Sequence, residues 1–454
     1  LVLVAIMMAS FAQAGVNLKN GNFYISYTDI VVPGGGKKLE ITRTYNSKST
    51  ESGWFGFGWG SDFETRLETS ADGSVVVHEH GAGAKTRFIP KTSIDGEAAA
   101  KKIVEAMRKR TQLTEQAANQ LTEKLKNNAE LRHTYALNFK VQTTVAAGTI
   151  LYSSERGSQE LHVLKDSYVR KYPDGKQETY DLKGNLLKIA DKTGYSIAFV
   201  WKDGKLESIR GSQAKQIFFS WYAEGRVKEL WSAGDKKAEY KFEGENLVFS
   251  KDVGGNTYEY GYDKSHNLTE IRYGDKSKTV VKYEPKTLFV QEILDRNGES
   301  TKYQYGNDPK APEDHYWTTV VKNGFDGKPA SNRYEYEIKT RPDGSRYTYR
   351  IVTDINGIKT ETIYSECCSL PLKIARGKQV TNFEYNDRGL LVKKSSTKGD
   401  FVQIDYDDAI NKIKKVTNNE GVTEFTYDKQ GNLVTARNDK GKQVLLVYDT
   451  KGKI

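Results

Sequence analysis

The sequence predicts a mainly β protein: tandem antiparallel β-hairpin repeats forming a long coiled sheet or shell, with a small helical insertion. Three observations predict it. Aromatic residues recur at Tyr180, Trp201, Tyr222, Phe242, Tyr262 and Tyr283, and again at Tyr385, Tyr406, Tyr427 and Tyr448, at steps of 20 or 21 residues. A fixed period of that length marks a stacked repeat. The 454 residues include 28 Tyr, 17 Phe and 6 Trp, with 40 Gly against 9 Pro, which is β-rich usage with many glycine turns and too aromatic for a disordered chain. Residues 95–133 break the pattern, with no Gly after Gly96, no Pro, and an abundance of Ala, Lys, Glu, Leu and Gln.

At the N-terminus, residues 1–8 are apolar, residues 10–13 are small and mostly polar, and Ala12-Gln13-Ala14 fits a small-x-small cleavage site. Spanning a bilayer takes about 20 apolar residues, so residues 1–14 read as a signal peptide and the mature chain, opening at Gly15, is expected to have no transmembrane span. An initiating Met and a basic leading stretch are missing, and the first few residues are expected to have been lost. The expected location is outside the cytoplasm: extracellular, at the cell surface or in the periplasm.

Residues 15–94 read as a separate β domain outside the 21-residue period. Residues 23–27 and 39–45 alternate apolar with polar, and residues 75–80 are β-branched. Between them lies Gly53-Trp54-Phe55-Gly56-Phe57-Gly58-Trp59-Gly60, whose glycines let backbone pass close over stacked rings. His78 and His80, two apart in a predicted strand, could share a face as half of a metal site, but His133, His162, His266 and His315 stand at no ligand spacing. Gly34-Gly35-Gly36 before Lys37-Lys38 lacks the following helix of a phosphate loop and reads as a hairpin loop.

In residues 95–133, Ile103, Ala106, Met107 and Arg110 fall on one face of a first helix, and Leu113, Ala117, Leu121 and Leu125 on one face of a second. Thr111 is placed to cap the second helix, with Glu115 in its first turn. This is expected to be a helical hairpin packed on the sheet, or else a plug, lid or docking surface.

From residue 134 to 454 the repeats take over. Each aromatic leads into a short polar turn and then an apolar strand, most fully in Tyr180-Asp181-Leu182-Lys183-Gly184-Asn185-Leu186 and Tyr427-Asp428-Lys429-Gln430-Gly431-Asn432-Leu433. Tyr262-Asp263, Tyr385 with Gly389, and Tyr448-Asp449 mark further copies, the last incomplete. Glycine supplies the positive φ of the turn, and the Asp is placed to hydrogen-bond the turn backbone. Ordering about 20 residues costs roughly 1–2 kcal/mol each, while one large buried side chain returns only about 1.5–3 kcal/mol. The units must therefore stack. Between Tyr303 and Tyr364 the phase is lost, and Pro309, Pro312, Asn323-Gly324 and Asp326-Gly327 suggest a longer connection with variable loops. The two cysteines, Cys367 and Cys368, are adjacent. They read as two small buried side chains, or as a disulfide with each other or with another chain.

Gly21-Asn22-Phe23-Tyr24, the stretch 31–36 leading into Leu39-Glu40-Ile41-Thr42-Arg43-Thr44-Tyr45-Asn46, and Gly56-Phe57-Gly58-Trp59 resemble the N-terminal domain that precedes YD repeats in bacterial Rhs proteins. With the Tyr-Asp-x-x-Gly-Asn-Leu units, the resemblance covers most of residues 15–454. It implies a β-sheet spiralling into a hollow shell; Rhs toxins enclose a C-terminal toxin in it, and teneurins use a similar shell in adhesion. This chain departs from the toxins in having no Asp-Pro-x-x-Gly self-cleavage motif and no non-repetitive C-terminal cargo.

The net charge of +10 comes from lysines spread singly along the chain, the pattern of a solvated face rather than of a nucleic-acid tail. No nucleic acid, cofactor or metal is expected as a partner. No nucleophile–base pair or paired carboxylates can be nominated, so the chain is expected to lack enzymatic activity. The expected function is an exported structural, encapsulating or surface-binding scaffold whose partners are cell-surface glycans, cell-wall polymers, proteins or an enclosed polypeptide. Two alternatives are the N-terminal shell of a polymorphic toxin lacking its cargo, and a carbohydrate-active enzyme on a repeat scaffold.

Overall fold

One 20–21-residue period corresponds to two antiparallel strands and two turns, as in Ser196–Lys202 paired with Lys205–Gly211. The computed structural model describes every residue except 1–12, 34–36, 82, 92–93, 154–158, 235, 324–328, 342–345, 368 and 450–453. The described residues form 37 strands and three helices, with a long antiparallel sheet of 31 strands in sequence order. Two compact units divide the chain: residues 1–305 with 318–330, and residues 306–317 with 331–454.

In the first unit, β1 (Gln13–Asn17), β2 (Asn22–Val32), β3 (Leu39–Asn46) and β6 (Trp59–Ser61) form a four-stranded sheet, with β4 (Ser52–Gly53) and β5 (Gly56–Phe57) a short ribbon beside it. β7 (Arg66–Thr69), β8 (Val75–Glu79) and β9 (Ala84–Pro90) start the long sheet, and β9 pairs with Ile150–Ser153 across the helical insertion. Arg66 bridges back to Asn185, and the Leu67 N–H donates to the Gly184 carbonyl at 2.9 Å. The eight strands from β7 to Leu186–Ala190 thus close on themselves.

The four-stranded sheet lies on the repeats that follow, and Arg43 is the buried joint. Its Nε donates to Asp29 Oδ2 at 2.7 Å, its Nη2 to Ser250 Oγ and the Tyr260 hydroxyl at 2.6 Å, and its guanidinium lies 4.5 Å from the Trp59 ring centre. Tyr240 donates to the same Asp29 oxygen at 2.8 Å. A buried ion pair holds only when such additional bonds replace lost water, and here repeat strands supply them. Residues 1–12, with most of the expected signal peptide, lie outside the described residues. A cut after Ala14 would remove Gln13 and Ala14 from β1, where they pair with Ser26 and Ile25. The Gly34–Gly36 stretch is likewise outside the described residues.

The insertion holds three helices where two were expected: α1 (Gly96–Arg108), α2 (Glu115–Asn127) and α3 (Ala129–Asn138). The helical segment therefore runs past 133. Asn128 both ends α2 and caps α3 through its side chain, which accepts from the Leu131 N–H at 2.9 Å, so one residue suffices to separate them. The cap of α2 is Thr114, accepting from Ala117 N–H at 3.2 Å, whereas the Thr111 hydroxyl donates to the Met107 carbonyl at the end of α1. α1 buries Ala99, Ala100, Ile103 and Val104, with Met107 half-buried on the same face, whereas Arg110 lies beyond the helix end and is exposed. The helices sit on the face of the β7–β8 hairpin that carries Glu68 and His78. Arg132 donates to Asp72 Oδ2 at 2.9 Å and closes the α2 C-terminus through the Leu125 and Lys126 carbonyls.

Residues 308–314, with Pro309 and Pro312, form a connection longer than the usual turn between the strands Ser300–Asn307 and His315–Asn323. The strands Pro329–Thr340 and Arg346–Ile355, of 12 and 10 residues, add to the loss of the 21-residue phase. Gly324, Asp326 and Gly327 lie outside the described residues.

Candidate functional site

The repeat residues make a mechanical site. Most of the described hairpins carry a β-bulge immediately before their aromatic, as between Gly261 and Tyr262 or Thr426 and Tyr427. A bulge leaves a strand carbonyl outside the ladder, and the aromatic of the next repeat reaches it. Trp201 Nε1 donates to Leu186 O, Trp221 Nε1 to Leu206 O, and the Tyr262 hydroxyl to Leu247 O, all at 2.8 Å. Tyr385, Tyr427 and Tyr448 do the same toward Pro371, Ile413 and Leu433. In one repeat the reaching residue is Trp221, not Tyr222 as the spacing suggested; the Tyr222 hydroxyl bonds to Tyr240 O instead. Tyr180 is buried and donates to Glu178 Oε2.

The turn carboxylates clamp their own turns. Asp181 Oδ1 accepts from the Lys183 and Asn185 N–H groups at 2.9 and 2.8 Å, and its Oδ2 from Asn185 Nδ2; Asp263 and Asp428 repeat the pattern. At Gly389 the role passes to Asn386, and Asp449 is exposed. Gly184 and Gly431 have φ of +87° and +81°. At Gly184 a Cβ would come 1.9 Å from the Leu67 carbonyl oxygen, so glycine is required where the sheet closes.

The N-terminal motif is a clasp over these turns. Gly56, at φ +92°, has no room for a Cβ against Glu245 O, and the Phe57 N–H donates to that carbonyl at 2.8 Å. The Phe57 ring lies 4.7 Å from that of His266. The backbone passes Tyr45 closely at Gly58, and Trp59 is buried with its Nε1 donating to the Tyr262 hydroxyl at 2.9 Å.

One face of the repeats is covered in the first unit. The residues two and four before the repeat aromatics Trp201, Trp221, Phe242, Tyr262 and Tyr283 are buried there, among them Phe199, Phe219, Tyr240, Tyr258 and Tyr260. Phe63, Trp54, Phe55, Tyr27 and Trp59 of the N-terminal segment meet them at ring distances of 4.5–5.8 Å. The matching positions of the second unit, Phe383, Val402, Ile404 and Phe425, are only half-buried. Among the described residues of that unit, Tyr336 is the one fully buried hydrophobic side chain.

A cleft of about 520 Å³ opens beside the clasp, lined in part by Trp54, Glu64, Arg66, Trp201, Glu224 and Arg226. Glu64 Oε1 accepts from the Trp54 N–H at 2.7 Å, while Oε2 is buried without a hydrogen-bond partner. Burial pushes this carboxyl up to about 8, so it is largely a neutral acid at pH 7 and can donate a hydrogen bond. Trp54 and Trp201 stand edge to face at 6.4 Å. The Glu64 carboxyl packs against the backbone at Gly53 and Gly81, so its burial comes from other turns of the N-terminal segment and not from its immediate neighbours in sequence.

The structure separates His78 from His80. His80 takes φ +59° and its Nδ1 lies 3.1 Å from Asp62 O, whereas His78 turns toward α3 and His133. Cys367 is exposed in a turn and disulfide-bonded, not buried in a strand, and Cys368 lies outside the described residues. The turn that follows the strand Ile358–Tyr364 holds Cys367 at the surface. No described helix is long and apolar enough to cross a membrane.

Residues 13–88 match the family model of a domain of unknown function, DUF6531. Over 317 residues, 64% of the chain, the sequence is 24% identical to the tRNA3(Ser)-specific nuclease WapA of Bacillus spizizenii. Solved structures with a similar course include TcdB2-TccC3-TEV, with TM-score 0.41 and 9% identity over 94% of the chain. Another is the Photorhabdus luminescens Tc holotoxin pore, with TM-score 0.37 and 9% identity over 95% of the chain. The chain spans 12% of the nuclease, 24% of the first structure and 26% of the second.

Proposed function

We propose that the protein is an exported, non-enzymatic β-sheet scaffold whose second unit lies against another polypeptide. The observation that carries this is the difference between two copies of one face. Where Tyr258 and Tyr260 are covered, the N-terminal segment covers them; Ile404 and Phe425 hold the same repeat positions and are half-exposed. Contiguous apolar positions left open on a sheet mark a binding surface. The cleft at Trp54 adds a site for a polyhydroxylated ligand such as a surface glycan, combining an aromatic surface, a neutral acid and two arginines.

A second reading, favoured by the similarity to WapA, makes the chain the container portion of a larger toxin polypeptide, with the effector as the covered segment. Photo-crosslinking residues placed at Ile404 and Phe425 in the native host test both, with Gln403 and Glu424 on the other face as controls. Adducts with a polypeptide are expected at 404 and 425 alone. Adducts with an extension of the same reading frame select the container, adducts with a separate protein select the surface scaffold, and equal labelling at 403 and 424 overturns both. Turnover of a glycan panel that is abolished in Glu64→Gln would overturn the non-enzymatic assignment.

A further inference from the structure

Glu68 on β7, His78 on β8 and His133 on α3 are 65 residues apart at the extremes, yet their ligand atoms lie within 4.8 Å of one another. The register sets the first two. Arg66 is paired with His78 across β7–β8, so Glu68, two residues on, lies diagonal to His78 on the same face. α3 then lays His133 over that face, held there by the neighbouring Arg132–Asp72 ion pair. Glu68 Oε2 is 2.8 Å from His78 Nε2 and 3.9 Å from His133 Nε2.

Both imidazoles are almost fully buried, at 3% and 2% exposure. Both nitrogens of His133 nevertheless have no hydrogen-bond partner, and Glu68 Oε2 and His78 Nε2 meet only each other, at 2.8 Å and without hydrogen-bond geometry. Buried polar atoms are normally satisfied, and orphans converging on one point call for a shared partner. Bond lengths of about 2.0–2.2 Å from a tetrahedral zinc ion to N and O place ligand atoms about 3.3–3.6 Å apart, between the two distances found.

We propose that Glu68, His78 and His133 bind a divalent transition-metal ion of the zinc class, tying α3 to the β7–β8 hairpin. Two imidazoles and a carboxylate suit zinc, cobalt or nickel rather than calcium or magnesium. Glu51 Oε1 lies 3.3 Å from His78 Nδ1, the outer carboxylate that orients a metal-bound imidazole and leaves Nε2 free to ligate. Glu68 is the part-exposed member, so water can complete the shell from its side.

The charges facing the site are mixed. Glu51 and Glu68 favour a cation; Arg66, Lys85 and Arg87 oppose it, and Arg87 is engaged by Asp72. Burial, then the proximity of His78, hold His133 down at about 4, which leaves it neutral, as a ligand must be. The other converging group, His315 with Glu335 and Glu337, differs in that Arg333 and Arg350 already pair with its carboxylates.

The test uses the full chain, treated with chelator and titrated with Zn²⁺ by calorimetry and with Co²⁺ by visible absorption. One equivalent is expected to bind, and Zn²⁺ to raise the thermal unfolding midpoint. His133→Gln and Glu68→Gln should weaken binding by more than tenfold and abolish the midpoint shift, Glu51→Gln should weaken it by about tenfold, and His315→Gln should leave it unchanged. Wild-type affinity in His133→Gln would overturn the proposal. So would a stoichiometry well below one, which would leave the cluster a protonated His78 paired to two carboxylates. Should the variants fail to fold, X-ray absorption of the zinc-loaded wild type decides alone: two imidazole nitrogens are expected, and an oxygen-only shell overturns the site.

Discussion

Glu64 and Tyr262 show how much a single buried group depends on what surrounds it. The Glu64 carboxyl, pushed up to about 8 by burial, holds its proton between pH 4.5 and 8 while the unfolded chain releases it. The folded state then binds more protons, so stability falls as pH rises through this window. Glu64→Gln keeps the acceptor for Trp54 N–H and removes the titration. It is expected to match the wild type within about 1 kcal/mol at pH 5 and to exceed it by roughly 1–3 kcal/mol at pH 8 in urea unfolding. The Tyr262 hydroxyl donates to Leu247 O and accepts from Trp59 Nε1, so Tyr262→Phe strands two buried groups and should cost about 2–3 kcal/mol. Tyr427→Phe should cost less than about 1 kcal/mol, because the second unit is open enough for water to reach Ile413 O. Equal losses in the two variants would contradict the ladder's dependence on burial.

Among the elements, the hairpin turn is the one whose purpose changes with position while its sequence stays nearly constant. Gly184 and Gly225 have similar positive φ, +87° and +85°, yet a Cβ at 184 meets Leu67 O at 1.9 Å and one at 225 meets nothing within 4 Å. Gly225→Ala should therefore cost about 1 kcal/mol from backbone strain alone. Gly184→Ala must also break the closure of β7 onto the strand after it, and its thermal midpoint should fall much further. The aromatic-turn-apolar signature was legible because strand alternation, turn chemistry and period agree from copy to copy. The helix caps were not: Thr111 and Thr114 both stand before a helical run, and only the path of residues 111–113 decides which hydroxyl meets a free N–H. The length of α3 was hidden by Asn128, a residue equally suited to end one helix and begin the next.

At the scale of the molecule, the two units carry the same repeat with different amounts of buried surface. Stability in repeat arrays is local, and segments with few buried apolar contacts open at lower free energy. Native-state hydrogen exchange is thus expected to show strands such as Phe401–Asp407 and Gly421–Tyr427 opening well before Thr257–Tyr262 and Leu268–Tyr273. Matching protection in both sets would mean that burial does not control their opening. The sequence by itself determined what depends on neighbours along the chain: β class, hairpin period, turn positions, and the helical character of the insertion. Tertiary structure alone decided which copies of the repeat face are covered, that Glu64 is buried in a cleft, and that His133 comes to lie over His78 and Glu68. The first and the last of those outcomes rest on contacts between residues 55 to 231 positions apart, and a repeating pattern, being the same in every copy, holds no information about which copy a distant segment will meet.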